Sequence, residues 1–458
     1  MKTTKYILPV AVALSLSSCH IYNAYELPSE NSYVKAFEES SQAAPDSASL
    51  PYLSWDQIFT DPVLQDYIRT ALDNNKDLDD AVKNIEIARA QLKGAKLSYL
   101  PSVVLNPNGG AAKYGDSKMD TWTYTIPMAI SWEVDVFGKI LNRKRGAKVA
   151  VDQMEDYYQA TRSQIICGVA NTYYALMLLN QQLQLTERTS EIWKDQVESM
   201  RLMKNAGRVN EAAVVQSEAN YWSIMSSIPD LKEAIHQMNN TMSILLHSYP
   251  QEYTTSGDMN FDLPATLTSG VPVSYLAVRP DVKAAERGLA SAYYTTNSAR
   301  AAFYPGLTIS SNGGFTNLLG NIVSNPGKWF IQLAGSLAAP LFSRGQNIAN
   351  LEVAKARQEQ AMNAFEKAVL SASADVSNAL ATYNYNKQKR EYILKQIDDL
   401  EKSVEYTQEL LTLNTSTTYL EVLTARSSLL SAQLASLNAW HTKVGALISL
   451  YQSVGGGR

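Results

Sequence analysis

The chain contains one pattern of residues twice, and this internal repeat limits its fold more strictly than any other feature. Asp77–Val103 aligns without gaps with Asp281–Leu307, so that Tyr99-Leu100-Pro101 matches Phe303-Tyr304-Pro305. Similarity at a constant separation identifies units that are built alike. We therefore predict two tandem structural repeats with the same order of helices and strands.

Each repeat contains a segment in which apolar and polar residues alternate, as they do in a strand with one apolar face. These strands are predicted at Thr121–Val134 and Lys328–Leu341, and weaker strands precede them at Pro101–Tyr114 and Pro305–Phe315. The sequence thus predicts two β-hairpins, with four strands in all.

Four strands cannot close a sheet on themselves, and their free edges need partners. A soluble sandwich would also alternate, but an apolar face on strands of about ten or more residues suits a membrane β-barrel. After the first twenty residues there is no apolar run of about 18 residues, which a membrane-spanning helix needs. We therefore assign any membrane crossing to strands, and closure of the barrel to several copies of the chain.

Very long helices are predicted between the hairpins. From Gln346 to Leu413 there is neither Pro nor Gly, and small or apolar residues recur every three or four positions. A helix of this length measures about 100 Å and packs against neighbours as a coiled coil does. Its counterpart is Lys139–Ala206, and the two return helices are Asn210–His247 and Thr418–Val454. A stacked soluble bundle would tolerate the same small residues.

The N-terminus has the features of a bacterial lipoprotein signal. Lys2 and Lys5 precede a short apolar run that ends in Leu16-Ser17-Ser18-Cys19, which resembles a lipobox. Cleavage would leave Cys19 as the first residue and the site of acylation, although a chance Cys near an ordinary cleavage site would look the same. The remaining cysteine, Cys167, is expected in buried helix packing, since it has no partner for an intramolecular disulfide.

Several motifs occur in an order that points to one family. They are Phe59-Thr60-Asp61-Pro62, Ala71–Leu78, Trp132–Lys139, Arg279-Pro280-Asp281-Val282 and Pro340–Gly345. In this order the chain resembles the TolC-like outer-membrane factors, and among them the NodT-type lipoprotein branch that serves RND efflux systems.

The resemblance implies a mostly α-helical fold with a membrane β-barrel. Three copies would each give four strands to one 12-stranded barrel, which a 12-helix α-barrel continues into the periplasm. It also implies a lipid-anchored protein of the bacterial outer membrane that acts as the exit channel of a tripartite efflux pump. The channel would passively conduct drugs or other small molecules, and its partners would be a periplasmic adaptor protein and an inner-membrane RND transporter.

The predicted domain boundaries combine the repeat with these assignments. They are a signal peptide (1–18), an acylated segment with an equatorial helix (19–76), a first repeat (77–250, hairpin about 101–136, helical hairpin 139–248), a linker (251–278), a second repeat (279–454, hairpin about 305–342, helical hairpin 345–454) and a tail (455–458).

Two sets of site residues follow from the resemblance. The helix reversals would contact the adaptor through Gly207, Arg208, Val209, Asn210, Asn414, Thr415, Ser416, Thr417, Thr418 and Tyr419. The candidate periplasmic gate consists of Glu211, Glu218, Glu421, Thr424 and Arg426. Relatives commonly carry Asp where Thr424 stands and Gly where Thr415 stands, so an acidic ring at position 424 is not expected in this chain.

Other classes of function have little support in the sequence. There is no HExxH, GxSxG or P-loop motif, and the four His are scattered, so we expect no enzyme, no cofactor and no metal site. A net charge of −4 gives no footprint for nucleic acid. Two alternatives stay open. One is the exit duct of type I protein secretion or metal efflux, and the other is a coiled-coil structural lipoprotein without a channel.

Overall fold

The structure is a computed structural model that describes residues 22–28, 35, 37, 53–111, 122–257, 259, 261, 273–319, 322–413 and 418–457. In chain order the helices are α1 (Trp55–Ile58), α2 (Pro62–Asn74), α3 (Lys76–Leu97), α4 (Lys139–Asn205), α5 (Glu211–Leu245), α6 (Pro280–Ala301), α7 (Gln346–Thr412) and α8 (Tyr419–Ser453), with a 3-10 helix at Val273–Val278. The strands are β1 (Ser102–Leu105), β2 (Asn108–Ala111), β3 (Trp122–Val134), β4 (Gly306–Leu319) and β5 (Ile322–Ala338).

The chain divides into two compact units. The sheet unit comprises Met1–Glu30, Lys83–Asp156 and Lys283–Lys367, and the helical unit comprises Asn31–Val82, Tyr157–Val282 and Ala368–Arg458. The helices α4 and α7 contribute residues to both units. Among the described residues, no helix is both long and apolar enough to cross a membrane.

One antiparallel sheet forms the centre of the sheet unit. Both β1 and β2 pair with β3, which pairs with β4, which in turn pairs with β5. The register pairs Ser102 with Ser131, Val134 with Leu307, and Gly306 with Ala338. The start of β1, the end of β3, the start of β4 and the end of β5 therefore lie together. We call this row of strand ends the helix-side edge, as distinct from the lateral edges of the sheet, which are its outermost strands.

The first predicted strand is interrupted, and the expectation of one strand over Pro101–Tyr114 was wrong in this respect. β1 ends at Leu105 and β2 begins at Asn108. Pro107 lies between them and has no N–H to give to the ladder, whereas the amide of Asn106 still donates to the carbonyl of Pro127 at 3.1 Å. Residues 112–114 lie outside the described part of the chain, as does Thr121 at the start of the next predicted strand.

The last strand starts earlier and ends earlier than the prediction of Lys328–Leu341. The strand includes Pro326-Gly327, a pair typical of turns. The register between β4 and β5 shifts opposite this pair, which accommodates it, and proline is tolerated in the outermost strand of a sheet. At the other end Pro340 lies beyond the strand, and Leu341 is 96% exposed outside it.

Glycine allows β3 and β4 to pair closely. A Cβ atom on Gly314 would lie 2.1 Å from the carbonyl oxygen of Ile126 on β3. Any larger residue at this position would push the two strands apart.

The long helices match their predictions closely. α4 and α7 contain 67 residues each, and α5 and α8 contain 35 each. On α7 the small and aromatic residues of the predicted face are buried, among them Ala354, Phe365, Ala372 and Tyr383. Pro229 lies within α5, which continues past it.

Aromatic residues dominate the core of the helical unit. Phe59, Leu64, Tyr173 and Trp440 are all fully buried there. The Tyr173 hydroxyl donates to Asp61 Oδ2 at 2.6 Å, and the other oxygen of Asp61 accepts the Val63 amide at the start of α2 at 2.9 Å. The Asp61 carboxylate therefore caps the start of α2 and, through Tyr173, also bonds to α4.

A buried arginine joins three elements of the helical unit. Arg279 Nη2 lies 2.6 Å from Asp281 Oδ2 and 3.1 Å from Asp375 Oδ2, while Nη1 donates to the carbonyl of Ser453 at 3.0 Å. Burial disfavours the charged guanidinium, but the hydrogen bonds to the two carboxylates outweigh it and raise the pKa of Arg279. Burial likewise opposes ionisation of Asp281, yet the bond from Arg279 lowers its pKa below the ordinary value. Arg279 thus links the entry to α6 with α7 and the end of α8.

Candidate functional site

An apolar sheet face is exposed, and it is the first candidate functional surface. On β3 the exposed fractions of Trp122, Ile126 and Met128 are 71%, 45% and 45%. On β5 Trp329 and Leu333 reach 70% and 75%, and Ile331 and Leu337 are similarly exposed. Contiguous exposed apolar surface marks a protein or membrane contact. This is the face that the alternating pattern predicted.

The sheet also has two lateral edges, whose outermost strands have backbone groups without a strand partner among the described residues. In the described part of the chain, β5 pairs on one side only, with β4, and β1 and β2 pair on one side only, with β3. The backbone N–H and C=O groups on the outer sides of these strands are open to another strand. A second copy of the same sheet is the simplest partner for such edges.

The first helix reversal, between α4 and α5, has a defined geometry. The amide of Arg208 donates to the carbonyl of Met203 and that of Gly207 to Lys204, both at 2.9 Å, which ends α4 in a Schellman turn. Gly207 has a φ of +72°, a value that favours glycine. Asn210 then caps α5 by accepting the Ala213 amide at 3.1 Å.

Most of the tip residues predicted at this reversal are accessible. Gly207, Arg208 and Asn210 are exposed, while Val209 is half-buried against a small cluster that includes Trp193. The reversal therefore offers a short polar surface with one cation.

The second reversal is described only at its flanks, because Asn414, Thr415, Ser416 and Thr417 lie outside the described residues. Thr418 is exposed, but Tyr419 is buried and its hydroxyl lies 2.6 Å from Ser217 Oγ. The assignment of Tyr419 to the contact surface is therefore corrected: its side chain joins α8 to α5.

Two of the candidate gate residues are paired inside the chain. Glu218 Oε1 lies 2.6 Å from Arg201 Nη2, and Glu211 forms an ion pair with Lys204. Both pairs link α4 to α5 across the first reversal. The positive charges of these partners reduce the negative field that Glu211 and Glu218 would give to an entrance.

The other gate candidates lie on α8. Glu421 and Thr424 are exposed, and the Thr424 hydroxyl donates back to the Leu420 carbonyl at 2.8 Å. Arg426 is half-buried and donates to Gln408 Oε1 at 2.8 Å, and its burial lowers its pKa. Position 424 therefore presents a neutral hydroxyl rather than a carboxylate.

Arg201 and Lys204 are functional candidates that sequence reasoning missed. The signal was present, because two basic residues lie within six positions before Gly207 and two acidic residues lie within eleven positions after it. Only the fold shows that these opposite charges meet.

Of the two cysteines, the structure describes only Cys167. Cys19 lies outside the described residues, so its acylation stays a prediction. Cys167 is 2% exposed within the aromatic core, and burial raises the pKa of its thiol to about 12. As predicted, it is part of the helix packing.

Two acidic residues lie beside one arginine in the helices of the sheet unit. Glu286 on α6 is 7% exposed and lies 3.2 Å from Arg287 Nη1, and Asp156 on α4 lies 3.8 Å from Arg287 Nε. Burial raises the pKa of both carboxyl groups, and the positive charge of Arg287 only partly offsets this effect.

The family can be assigned from a comparison with family models. The one described as outer membrane efflux protein matches residues 67–246 and 271–456, well over half of the chain. The chain belongs to this family. Its match to the outer membrane efflux family confirms the resemblance inferred from the motifs.

Individual known proteins are similar to the chain over most of their length. The chain is 27% identical to the cation efflux system protein CusC of Escherichia coli O157:H7, over 98% of each chain. It is 28% identical to the probable outer membrane lipoprotein SilC of Salmonella typhimurium, over 88% of each. The structure matches the open state of the MtrE outer membrane channel of Neisseria gonorrhoeae with a TM-score of 0.78 at 27% identity, covering 91% of this chain and 94% of that one.

Proposed function

We propose that the chain is the outer-membrane exit channel of a tripartite efflux pump and works as a homotrimer. Each copy would give its sheet to one closed 12-stranded barrel, and its long helices to a 12-helix barrel in the periplasm. Drugs or other small molecules would pass through this duct passively. The proposal also holds that the protein is not an enzyme, since a duct needs a lumen and an entrance but no reacting group.

The exposed apolar face of a sheet with open edges is the observation that carries this proposal. Trp329, Ile331, Leu333 and Leu337 are each about 70% exposed, which is costly in water and favourable in lipid. Closure with other copies satisfies the edges and leaves the apolar face outside. The number three is what the family resemblance implies, since a 12-stranded barrel needs three copies with four strand positions each.

The helices support the second part of the proposal. A helix, strands, a long helix of 67 residues and a return helix of 35 residues follow one another twice along the chain, an order that supports the proposed tandem repeats. Helices of 67 residues measure about 100 Å, a length suited to a duct across the periplasm.

The helix reversals are proposed to receive a periplasmic adaptor, which links the channel to an inner-membrane RND transporter. Gly207, Arg208 and Asn210 give an exposed polar tip for such a contact. Relatives named as components of efflux systems support these partners. A relative named as an outer membrane lipoprotein supports the anchor at Cys19.

Planar-bilayer conductance of the purified protein, with its oligomeric mass measured in the same detergent, tests the channel. Discrete conductance steps from a trimer are expected. A monomer without conductance would contradict the proposal and would favour a coiled-coil lipoprotein.

A matched pair of variants tests which face of the sheet meets lipid. Leu333→Lys places a charge on the apolar face and Gln332→Lys places one on the opposite face of the same strand, one residue away. A lysine on the lipid face near the membrane midplane costs about 2–4 kcal/mol per copy. Leu333→Lys should therefore prevent assembly into the outer membrane, whereas Gln332→Lys should assemble and shift ion selectivity towards anions. Equal assembly of the two variants would contradict the assignment of faces.

The anchor has its own test. Cys19→Ser should abolish labelling of the protein with a radioactive fatty acid, and unchanged labelling would remove the anchor from the proposal.

A further inference from the structure

Basic residues are concentrated at the helix-side edge of the sheet. The ten residues next to each strand end at this edge are 92–101, 135–144, 296–305 and 339–348. They contain seven basic residues and one acidic residue, in a chain whose net charge is −4. The segment 112–121, which joins β2 to β3 in the sequence, contains two basic and two acidic residues. The excess of positive charge is thus found in the segments next to the helix-side edge.

Contacts within the chain remove one cation and the one acid from this set. The Asp135 carboxylate accepts the amides of Ile140 and Leu141 at 3.1 and 2.6 Å, which caps the start of α4. Lys139 Nζ lies 2.8 Å from Glu133 Oε1. Six cations remain, which we call the basic collar: Lys93, Lys96, Arg143, Lys144, Arg300 and Arg344.

The collar has no anionic partner within the described chain. None of its six members lies within 4.0 Å of a carboxylate oxygen among the described residues. Five are exposed and Lys144 is half-buried. Six positive charges near the helix-side edge, with no carboxylate partner among the described residues, favour the approach of an anion from outside the chain.

One member of the collar can be placed on the side of the apolar face. Trp132 belongs to the apolar set on β3, and its indole N–H donates to the carbonyl of Tyr99 at 2.9 Å. The Lys144 ammonium lies 5.6 Å from the centre of the Tyr99 ring. Aromatic rings at the end of an apolar strand face, followed by cations, are typical of the boundary between lipid tails and headgroups.

We propose that the basic collar binds the phosphate groups of anionic phospholipids where the sheet meets the inner surface of the outer membrane. This proposal rests on the proposed membrane insertion of the sheet. Trp132 contacts Tyr99 and Tyr99 contacts Lys144, so a lipid whose tails cover Trp132 has its headgroup beside Lys144. Charge complementarity selects a headgroup with a net negative charge, such as phosphatidylglycerol, over a zwitterionic one.

The test compares lipid retention by the full-length mature protein with that of two variants of equal charge change. In the collar variant, Lys96, Arg143, Lys144 and Arg344 are all changed to Gln. In the control variant, the four exposed lysines Lys194, Lys387, Lys389 and Lys395 of the helical unit are changed to Gln. Each protein is exposed in detergent to equal amounts of phosphatidylglycerol and phosphatidylcholine with the same acyl chains, and bound lipid is counted by native mass spectrometry.

The unmodified protein should retain phosphatidylglycerol preferentially, and the collar variant should lose this preference by about tenfold or more, since each cation near an anionic lipid surface contributes measurably. The control variant should keep it, and a third variant that combines Lys96→Arg with Lys144→Arg should also keep it. The preference should weaken at 0.5 M salt. Soluble glycerophosphoglycerol at about 1 mM should not compete, because binding requires the anchored lipid.

Equal retention of the two lipids by the unmodified protein, or equal loss in the collar and control variants, would overturn the proposal. So would competition by the soluble headgroup, which would indicate a free phosphate site. Conductance and trimer mass, measured for each variant in phosphatidylcholine, separate this outcome from failure of the channel itself. A collar variant that conducts normally but still prefers phosphatidylglycerol refutes the collar alone.

Discussion

Replacing Arg279 by Met is expected to destabilise the helical unit by about 3 kcal/mol. The side chain is 9% exposed and bonds to Asp281, Asp375 and the Ser453 carbonyl. Removing one partner of a buried ion pair costs about 3–5 kcal/mol. Both carboxylates are 53% exposed and regain water when the arginine is lost, so the lower end of this range applies.

Asp375→Asn provides the matched control for this prediction. It removes one exposed partner and leaves the Arg279–Asp281 pair in place, so its cost should stay below about 1 kcal/mol. The assay is loss of the helical circular dichroism signal on heating in detergent at one scan rate, because unfolding of such an assembly is a rate process. Arg279→Met should lower the transition by roughly 5 °C or more. Equal transitions for the two variants would refute the assignment of Arg279 as the linking residue.

The same cluster predicts a pH dependence. The folded pKa of Asp281 is below its ordinary value of 3.8, so its contribution is complete above that value and is lost as the pH falls through the folded pKa. The difference in stability between the unmodified protein and Arg279→Met should therefore be constant from pH 5 to 8 and shrink below about pH 4. A difference that grows on acidification would mean that the sign is wrong.

Three other positions give predictions of the same kind. Burial raises the folded pKa of Glu286 above 4.5, so the stability that comes from its protonated state is lost as the pH rises through that raised value. Glu286→Gln should therefore increase thermal stability at pH 7.5 relative to the unmodified protein. A decrease would contradict this prediction. Gly207→Ala should cost about 1 kcal/mol from backbone strain alone, since no atom lies within 4 Å of the added Cβ, and Gly445→Ala, an open helical position, should cost nothing or stabilise slightly; a chemical unfolding curve for each variant checks this. The Cys167 thiol, with a pKa of about 12, should resist a thiol reagent in the folded protein and react at once after unfolding.

The long helices were predictable from the sequence because their rules are local. The stretch from Gln346 has no residue that breaks a helix, and its buried face repeats every three or four positions, so the predicted end at Leu413 differs from the observed Thr412 by one residue. The strand Trp122–Val134 was predictable for the same reason, since alternation is a property of the strand itself.

The remaining errors come from interactions between distant segments. Pro326-Gly327 predicts a turn locally. It becomes part of β5 only because the pairing of β5 with β4 has an irregular register at this point. Tyr419 follows a reversal and was assigned to the surface, but Ser217 on another helix provides the partner that buries it. The ion pairs of Glu211 and Glu218 were missed likewise, because their partners precede them across a turn.

The equal lengths of the paired helices restrict how this chain can evolve. α4 matches α7 at 67 residues, and α5 matches α8 at 35. Inserting a single residue into one of them would rotate everything beyond it by about 100° and shift it by about 1.5 Å, so that its buried face would point elsewhere. Substitutions can accumulate along these helices, whereas insertions and deletions are expected only in the connections between elements. This expectation agrees with an alignment that covers 98% of this chain and of CusC at only 27% identity.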